Sequence, residues 1–177
     1  YVQAIHPLGT LVSNSNETEI EPIYVFNPQS AHVSNVSVTN PNEITVNWKP
    51  STFSEFDYYK LYKFEDDGEI PTEIVDTKTT EYLDVNVATS EMSYRYELEE
   101  IDRCGNVSDG GRFGKSILLK GYYDKSAFLD WSAYQEYENG VKDYKIEIKN
   151  ATDYKLVSRE PASSLVYEDE EYHREIY

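Results

Sequence analysis

The sequence predicts an all-β protein built of tandem Greek-key sandwiches, of which the terminal ones are incomplete. Composition is the first observation: Tyr occurs 17 times in 177 residues against a single Met. Tyr, Val, Ile and Thr are typical of pleated, half-buried strands. Hydrophobic residues make up 39% of the chain, which is enough to fill a core at this length. An internal repeat and regularly spaced turns are the other two observations.

Two tryptophans mark the repeat. The segment "EITVNWKPS" around Trp48 matches "SAFLDWSAY" around Trp131 in its alternation of apolar and polar residues. Each is followed by a Tyr-led segment, "FDYYKLYKF" or "VKDYKIEIK", and then by Tyr-x-Asp. Three markers in the same order indicate two copies of one unit, whose spacing suits a sandwich module of roughly a hundred residues.

A fourth marker lies at the start of the chain. The segment "YVQAIHPLGTLVS" echoes "YRYELEEIDRCGNVS" at 94–108, so that Ile5 corresponds to Ile101 and Gly9 to Gly105. We therefore expect three successive parts: the last two strands of a preceding module (1–27), a complete module (28–119), and the first five strands of a following module (120–177). An incomplete sandwich exposes strand edges and apolar faces. The end parts should need the rest of the chain, or a partner, in order to fold.

Turn signals divide the middle part into short strands. Gly, Pro, Asn and Asp cluster in "NPNE", "DDGE", "RCGN" and "DGGR". Between them, apolar residues alternate with polar ones, which predicts seven strands in total, the last carrying Ile117 and Leu119. Segments 27–32 and 119–124 are expected to be short linkers that limit bending between modules.

These residues resemble fibronectin type III modules over the whole chain: a Trp on the second strand, a Tyr on the third, and Tyr-x-aromatic-x-apolar running into Ile-Asp on the sixth. The resemblance implies immunoglobulin-like sandwiches in which Trp48 and Trp131 are core residues and Tyr94 is the corner tyrosine. Fibronectin type III modules usually have a small residue at the position of Glu100, and the first copy has Ala4 at this position. We therefore expect a bulge or an exposed edge at Glu100.

A narrower resemblance concerns the parent protein. The segments "YRYELEEIDRCGNVS" and "FLDWSAYQEYENGVKDYKIEI" are similar to the tandem modules of large gliding-motility-associated bacterial surface proteins exported by type IX secretion. This implies a secreted or cell-surface location. It also implies three kinds of partner: neighbouring modules of the same chain, secretion or surface-anchoring machinery, and a polysaccharide or protein ligand.

Charge and hydropathy exclude other partners. The chain carries 16 Lys and Arg against 33 Asp and Glu, a net charge of −17, which repels phosphate backbones and anionic lipids. No apolar run approaches the ~20 residues that span a bilayer, and no basic-then-apolar leader begins the chain. We expect neither nucleic-acid binding nor membrane insertion.

The sequence predicts no catalytic, cofactor-binding or metal site. Nucleophilic catalysis needs a base beside a nucleophile, yet the three histidines lie far apart without a Ser or Cys motif: His6, His32 and His173. Cys104 is better explained as a small turn residue than as a reactive thiol. The acidic segments 65–69 and 168–171 lack the alternating spacing of a calcium loop, and solvated surface charge explains them better.

Several tyrosines exceed what two cores require, namely Tyr58, Tyr62, Tyr122, Tyr123, Tyr134, Tyr137 and Tyr172. Exposed aromatic rings form platforms for sugars or peptides, although ordinary strand composition also explains them. The expected function is a non-enzymatic spacer or adhesion region. The alternatives are a carbohydrate- or protein-recognition module of a receptor ectodomain, and the accessory modules of a secreted hydrolase.

Overall fold

The computed structural model describes residues 2–5, 7–9, 12–20, 28–66, 68–135, 139–149 and 151–170. The regular structure in these ranges is entirely β. The strands are β1 (Gln3–Ile5), β2 (Val12–Asn14), β3 (Val33–Asn40), β4 (Glu43–Trp48), β5 (Phe56–Glu65), β6 (Thr72–Thr77), β7 (Glu81–Val85), β8 (Tyr94–Asp102), β9 (Gly114–Lys115), β10 (Leu119–Asp124), β11 (Ser126–Trp131), β12 (Asp143–Lys149), β13 (Tyr154–Pro161) and β14 (Val166–Asp169).

The strands form three groups, each antiparallel throughout. Strands β1 and β2 form an N-terminal hairpin. Strands β3–β9 form the central sandwich, whose sheets have the orders β3-β4-β7 and β6-β5-β8-β9. Strands β10–β14 form the C-terminal sheet pair, with the orders β10-β11-β14 and β12-β13. The central sandwich thus places its first, second and fifth strands in one sheet and the other four in the second, a Greek-key arrangement.

Period-two alternation builds the central core. Along β4, and along β8 as far as Glu100, every second side chain is buried, so each strand presents one face to the opposite sheet. The largest fully buried side chains are Tyr59, Tyr96, Ile44, Leu61, Leu98 and Val46. Burying each of them contributes roughly 2 kcal/mol, which offsets the entropy lost on ordering the strands.

A close backbone approach fastens the start of β3 to the segment before β9. The amide of Val33 donates to the carbonyl oxygen of Arg112 (3.2 Å), and the amide of Arg112 donates to Nδ1 of His32 (2.9 Å). A Cβ placed on Gly111 would overlap the carbonyl oxygen of Ala31. The absence of a side chain at Gly111 therefore permits the two segments to meet.

The seventh strand and the linkers differ from the sequence predictions. Strand β9 lies at Gly114–Lys115, not at Ile117 and Leu119, because its inward position must be small: a Cβ on Gly114 would lie 2.6 Å from Val36. The predicted linker 119–124 is wrong, since these residues are strand β10. In the predicted linker 27–32, Asn27 lies outside the described residues and Ala31 belongs to the core.

Candidate functional site

The two tryptophans lie in separate interiors with the same neighbour. Trp48 is 4% exposed and meets the ring of Tyr59 edge to face, with ring centroids 5.7 Å apart. Trp131 is 7% exposed and meets Tyr144 edge to face at 5.4 Å. The central core cluster contains Trp48 but not Trp131. Each indole therefore anchors its own sheet pair.

Polar contacts and register repeat as well. The amide three residues after each Trp donates to the Tyr hydroxyl: Ser51 to Tyr59, and Tyr134 to Tyr144. The β5–β6 register shifts after Leu61, and the β12–β13 register shifts after Ile146, its counterpart. Strand β4 pairs with β7 as β11 pairs with β14, with Ile44 opposite Asp84 and Ala127 opposite Asp169. Strands β11–β14 thus repeat β4–β7 in register, whereas the β10–β11 pairing lacks the two register shifts of the β3–β4 pairing.

The N-terminal hairpin repeats the turn that follows β8. In the hairpin Ile5 lies opposite Val12, and in the central sandwich Ile101 lies opposite Val107. Gly9 and Gly105 each follow the paired isoleucine by four residues and have φ of 71° and 82°, a left-handed conformation that glycine adopts without strain. The sequence echo is therefore also an echo in backbone geometry.

The C-terminal sheet pair contains the candidate binding groove. In the central sandwich β5 pairs with β6 on one edge and β8 on the other, whereas β12 pairs only with β13 within the described residues. Two adjoining cavities of about 310 and 490 Å³ lie between the sheets, lined by apolar residues that include Leu129, Trp131 and Ile146. Ile148, Leu156 and Tyr154 remain 42%, 46% and 64% exposed. We call this region the β12 groove.

In the central sandwich the corresponding space is filled by β8. Its inward side chains Tyr94, Tyr96 and Leu98 are each at most 4% exposed. The Tyr94 hydroxyl accepts a hydrogen bond from the amide of Ala88 (2.9 Å), which ties β8 to the preceding loop as expected of the corner tyrosine. Tyr96 donates to Oδ2 of Asp84 at 2.8 Å.

Asp84 lies at the centre of a buried polar cluster. The residue is 3% exposed, and its Oδ2 also lies 2.9 Å from the ammonium of Lys63, whose side chain is 18% exposed. Burial, and secondarily the charge of Asp84, raises the pKa of Tyr96. Since Lys63 compensates the buried carboxylate and Tyr96 binds it, the cluster joins β5, β7 and β8 and has the character of a structural contact.

Glu100 is neither on an exposed edge nor in a bulge of its own strand. It is 5% exposed, and its Oε2 accepts a hydrogen bond from Oγ of Ser51 at 2.9 Å. The irregularity lies in the partner strand, where the β5–β8 register shifts between Phe56 and Tyr58. Burial raises the pKa of Glu100, and the Ser51 hydrogen bond opposes this effect. The bound hydroxyl satisfies the carboxylate without turning it outward, so the exposed-edge prediction was wrong.

We expect Glu100→Gln to stabilise the protein by about 1 kcal/mol at pH 7, because an amide avoids the cost of burying a charge. The folded-state pKa lies above the ordinary 4.5, so stability due to Glu100 is complete below pH 4.5 and lost as pH rises through the folded-state pKa. The gain should therefore vanish at pH 4. Urea unfolding at both pH values measures it. An equal gain at both would contradict this explanation.

Cys104 lies exposed in the turn after β8, and the carboxylate of Asp102 organises that turn. Oδ1 of Asp102 accepts the amides of Cys104 and Asn106, each at 2.8 Å, and Oδ2 accepts the side-chain amide of Asn106 at 2.8 Å. The Asn106 side chain chiefly lowers the pKa of Asp102. These contacts give Asp102 a role in forming the turn.

The other titratable residues named from the sequence are dispersed. His32 accepts the Arg112 amide and so has a structural contact, while His6 and His173 lie outside the described residues. Oδ1 of Asp66 accepts a hydrogen bond from the amide of Ser93 at 3.0 Å. This contact joins part of the acidic segment 65–69 to the residue before β8. Among the described residues no three His, Cys, Asp or Glu side chains are grouped to hold a metal. In the same residues no helix is long and apolar enough to span a membrane.

The extra tyrosines have different environments. Tyr122 is 61% exposed and stacks on Phe128 with ring centroids 4.9 Å apart and planes 8° from parallel. Tyr62 donates to Oε2 of Glu99 at 3.0 Å, and burial together with this contact raises its pKa to about 12. Tyr123 is exposed, whereas Tyr58 and Tyr134 are half-buried. Tyr137 and Tyr172 lie outside the described residues.

Comparison with known proteins gives similar solved structures of low sequence identity. No protein-family model and no curated protein matches the chain. Similar solved structures include a Fn3-like protein from Clostridium thermocellum, with 17% identity and a TM-score of 0.45, covering 55% of this chain and 100% of that one. A fibronectin type-III domain of human fibronectin type III domain containing protein 3 has 12% identity and a TM-score of 0.43, covering 52% and 86%.

A third similar structure is a beta-1,2-glucanase from Parabacteroides distasonis, with 16% identity, a TM-score of 0.40, and coverage of 50% of this chain and 12% of that one. Because these identities and TM-scores are low, the fold assignment rests on the structure of the chain itself. The sheet orders of the central sandwich and the repeated Trp–Tyr pairs are the direct observations. The chain therefore has an all-β fold of fibronectin type III-like Greek-key sandwiches.

Proposed function

We infer that the chain is a non-enzymatic spacer or adhesion region of a secreted or cell-surface bacterial protein, made of successive sandwich modules. The observation that carries this inference is the short connection after the central sandwich. Strand β9 ends at Lys115 and β10 begins at Leu119. The amide of Ser116 still donates to the carbonyl oxygen of Tyr94. Only Ile117 and Leu118 therefore lie between the last residue bonded to β8 and the start of β10.

Even this connection is hydrogen-bonded. The amide of Leu118 donates to Oγ of Ser132 at 2.9 Å, and the amide of Ser132 donates to the carbonyl oxygen of Leu118 at 3.0 Å. Across the junction, the amide of Val36 donates to Oη of Tyr134 at 3.1 Å. A two-residue connection fixed on one side supports a stiff spacer, since bending requires rotatable residues between modules.

Tumbling in solution tests the spacer function. We expect ¹⁵N relaxation to give amides of β4 and β11 the same rotational correlation time, because a stiff junction makes both sheet pairs rotate together. Insertion of Gly-Ser-Gly-Ser between Ile117 and Leu118 should shorten both correlation times by about a third. Tyr134→Phe, which removes one bond and adds no freedom, is the matched control. Independent tumbling of the unaltered chain would overturn the proposal.

A location at the bacterial surface and export by type IX secretion extend this proposal through the family resemblance. They are tested by the flanking sequence of the parent gene, where a C-terminal sorting domain is expected. A carbohydrate-recognition role has one favourable observation, the exposed Tyr122 ring stacked on Phe128. Glycan-array binding that is lost in Tyr122→Ala would favour that role over the spacer.

A further inference from the structure

We propose that the outer face of the sheet β10-β11-β14 binds neutral polysaccharide, with the free face of the Tyr122 ring as its stacking surface. The ammonium of Lys120 and the carboxylate of Asp124, on either side of this ring, would bind sugar hydroxyls. Site and ligand rest on carbohydrate recognition, the second candidate function above, and specify it by assigning the ring and the class of sugar.

Alternation along β11 places the aromatic pair on the outer face of the sheet. Trp131 lies between the two sheets, so Phe128, three residues earlier, points to the opposite side. Tyr122 is the partner of Phe128 in the β10–β11 register and shares that side. On the same face of the central sandwich Leu83 is still 48% exposed, although all seven strands are present there. The exposure of this face therefore does not depend on strands that would cover the β12 groove.

The stacked pair leaves one face of Tyr122 available. The ring centroids of Tyr122 and Phe128 are 4.9 Å apart and their planes are 8° from parallel. Neighbouring strands are spaced by about 4.8 Å, so the two rings stand side by side on β10 and β11. Phe128 covers one ring face, and the 61% exposure of Tyr122 belongs to the other face and to the ring edge. Because stacking already orders the ring, little side-chain entropy is lost when a ligand binds.

Strand β10 supplies polar groups on both sides of the ring. Lys120 and Asp124 lie two residues before and after Tyr122, on the same face, and both are exposed. Each is about 7 Å along the strand from Tyr122. An ammonium donates hydrogen bonds and a carboxylate accepts them, so together they match sugar hydroxyls, which do both. An apolar surface with a few placed polar groups is typical of small-ligand sites.

The charge of this face selects against anionic sugars. Asp130 lies opposite Lys120, and Glu168 lies opposite Phe128. With Asp124, the described residues of these strands thus place three carboxylates and one ammonium on the outer face, in a chain of net charge −17. Such a face repels uronates and sulfated sugars. A neutral sugar whose ring faces are apolar fits both the aromatic surface and the charge.

A proline-rich peptide fits this face less well. Prolines also stack on aromatic rings. However, a proline has no backbone N–H, so a proline-rich segment would leave the carboxylates of Asp124 and Glu168 without donors. Sugar hydroxyls supply such donors at every ring.

The central sandwich provides a matched surface without the aromatic pair. Ser37 and Thr45 are paired there at the position where β10 and β11 have Tyr122 and Phe128. Strand geometry is thus common to both surfaces, and the rings distinguish them. Binding is therefore expected on β10 and β11 and not on β3 and β4.

An NMR titration of the intact ¹⁵N-labelled chain with cellohexaose, a neutral sugar with apolar ring faces, tests the site. We expect the amide signals of β10 and β11 around Tyr122 to shift, and those of Ser37 and Thr45 to stay unchanged. Tyr122→Ala should weaken binding at least about ten-fold, because it removes the stacking surface. Leu83→Ala, an exposed apolar residue on the same face of the central sandwich, should leave the affinity unchanged.

Two further measurements test the class of sugar and the role of Phe128. Hexagalacturonate, a charged probe of the same length, should bind at least about ten-fold more weakly than cellohexaose at low salt, and the difference should shrink as salt is added. Phe128→Leu keeps the site apolar but frees the Tyr122 ring. It should weaken binding about three-fold while the shifts remain at Tyr122.

Unchanged affinity in Tyr122→Ala, tighter binding of hexagalacturonate, or no shifts at millimolar cellohexaose would overturn the proposal. So would decaproline that shifts the same signals and binds more tightly, since the surface would then recognise peptides. Failure here is distinguishable from failure of the proposed functions. Glycan-array binding that persists in Tyr122→Ala would keep carbohydrate recognition and place it elsewhere, and the tumbling experiment on the spacer requires no sugar.

Discussion

Gly111→Ala is expected to destabilise the central sandwich by at least about 3 kcal/mol. Its new Cβ would overlap the carbonyl oxygen of Ala31, which is backbone and cannot move without separating the start of β3 from the segment before β9. The Val33–Arg112 hydrogen bond would be lost with that separation. Hydrogen exchange of the amides of Tyr96 and Leu98, deep in the core, measures the change.

Gly110→Ala is the matched control. A Cβ at this neighbouring position would meet open space, so the free energy of unfolding should change by less than about 0.5 kcal/mol. If both variants were equally stable, the close approach of residues 31 and 111 would not exist in solution.

Asp84→Ala should have an effect of similar size, about 3 kcal/mol. The substitution removes the acceptor of the Tyr96 hydroxyl and leaves the partly buried ammonium of Lys63 without its counterion. Breaking a buried ion pair by removing one member is more costly than the pair is stabilising, because the remaining charge stays desolvated. Tyr96→Phe removes only one hydrogen bond to the carboxylate and leaves the ion pair in place, so it should cost less, about 2 kcal/mol.

The exposed ion pair of Lys78 with Asp57 provides the comparison. Its side chains are 70% and 39% exposed, so Asp57→Ala should change the stability by less than about 1 kcal/mol. A Lys63→Met, Asp84→Leu double variant should recover much of the loss of Asp84→Ala. Urea denaturation of the four variants would show whether burial sets the cost. A loss in Asp57→Ala as large as that in Asp84→Ala would contradict this explanation.

The fold class could be predicted because the residues that fix it repeat. Trp48 and Trp131 recur with the same neighbouring alternation, and burial of a large ring at matching positions requires matching strands on either side. The seventh strand could not be placed in this way. Its inward position is Gly114, whose size is set by contact with β3, a long-range constraint that leaves no apolar pattern in the local sequence.

The candidate site was missed from the sequence for a related reason. The groove depends on whether a strand pairs with the second edge of β12. The alternation of apolar and polar residues in β12 is the same in either case, so the sequence does not reveal it. Exposed apolar residues in incomplete end sandwiches were expected, and Ile148, which is 42% exposed, lies on a strand with one paired edge among the described residues. The hydrogen bond of Glu100 is a second contact that the sequence could not predict. Its partner Ser51 is 49 residues away and no spacing rule connects them.

The N-terminal hairpin has a consequence for how such modules fold. Every residue of β1 and β2 is exposed, yet the pair has the register and the glycine turn of the hairpin that follows β8. Within the described residues, the geometry of this hairpin is set by contacts between residues that lie close together in the chain. Greek-key topologies fold slowly, since contacts between distant segments must be found before they stabilise anything. Hairpin contacts join neighbouring residues and form within microseconds, so the closing hairpin of each module is expected to form before the pairing of distant strands.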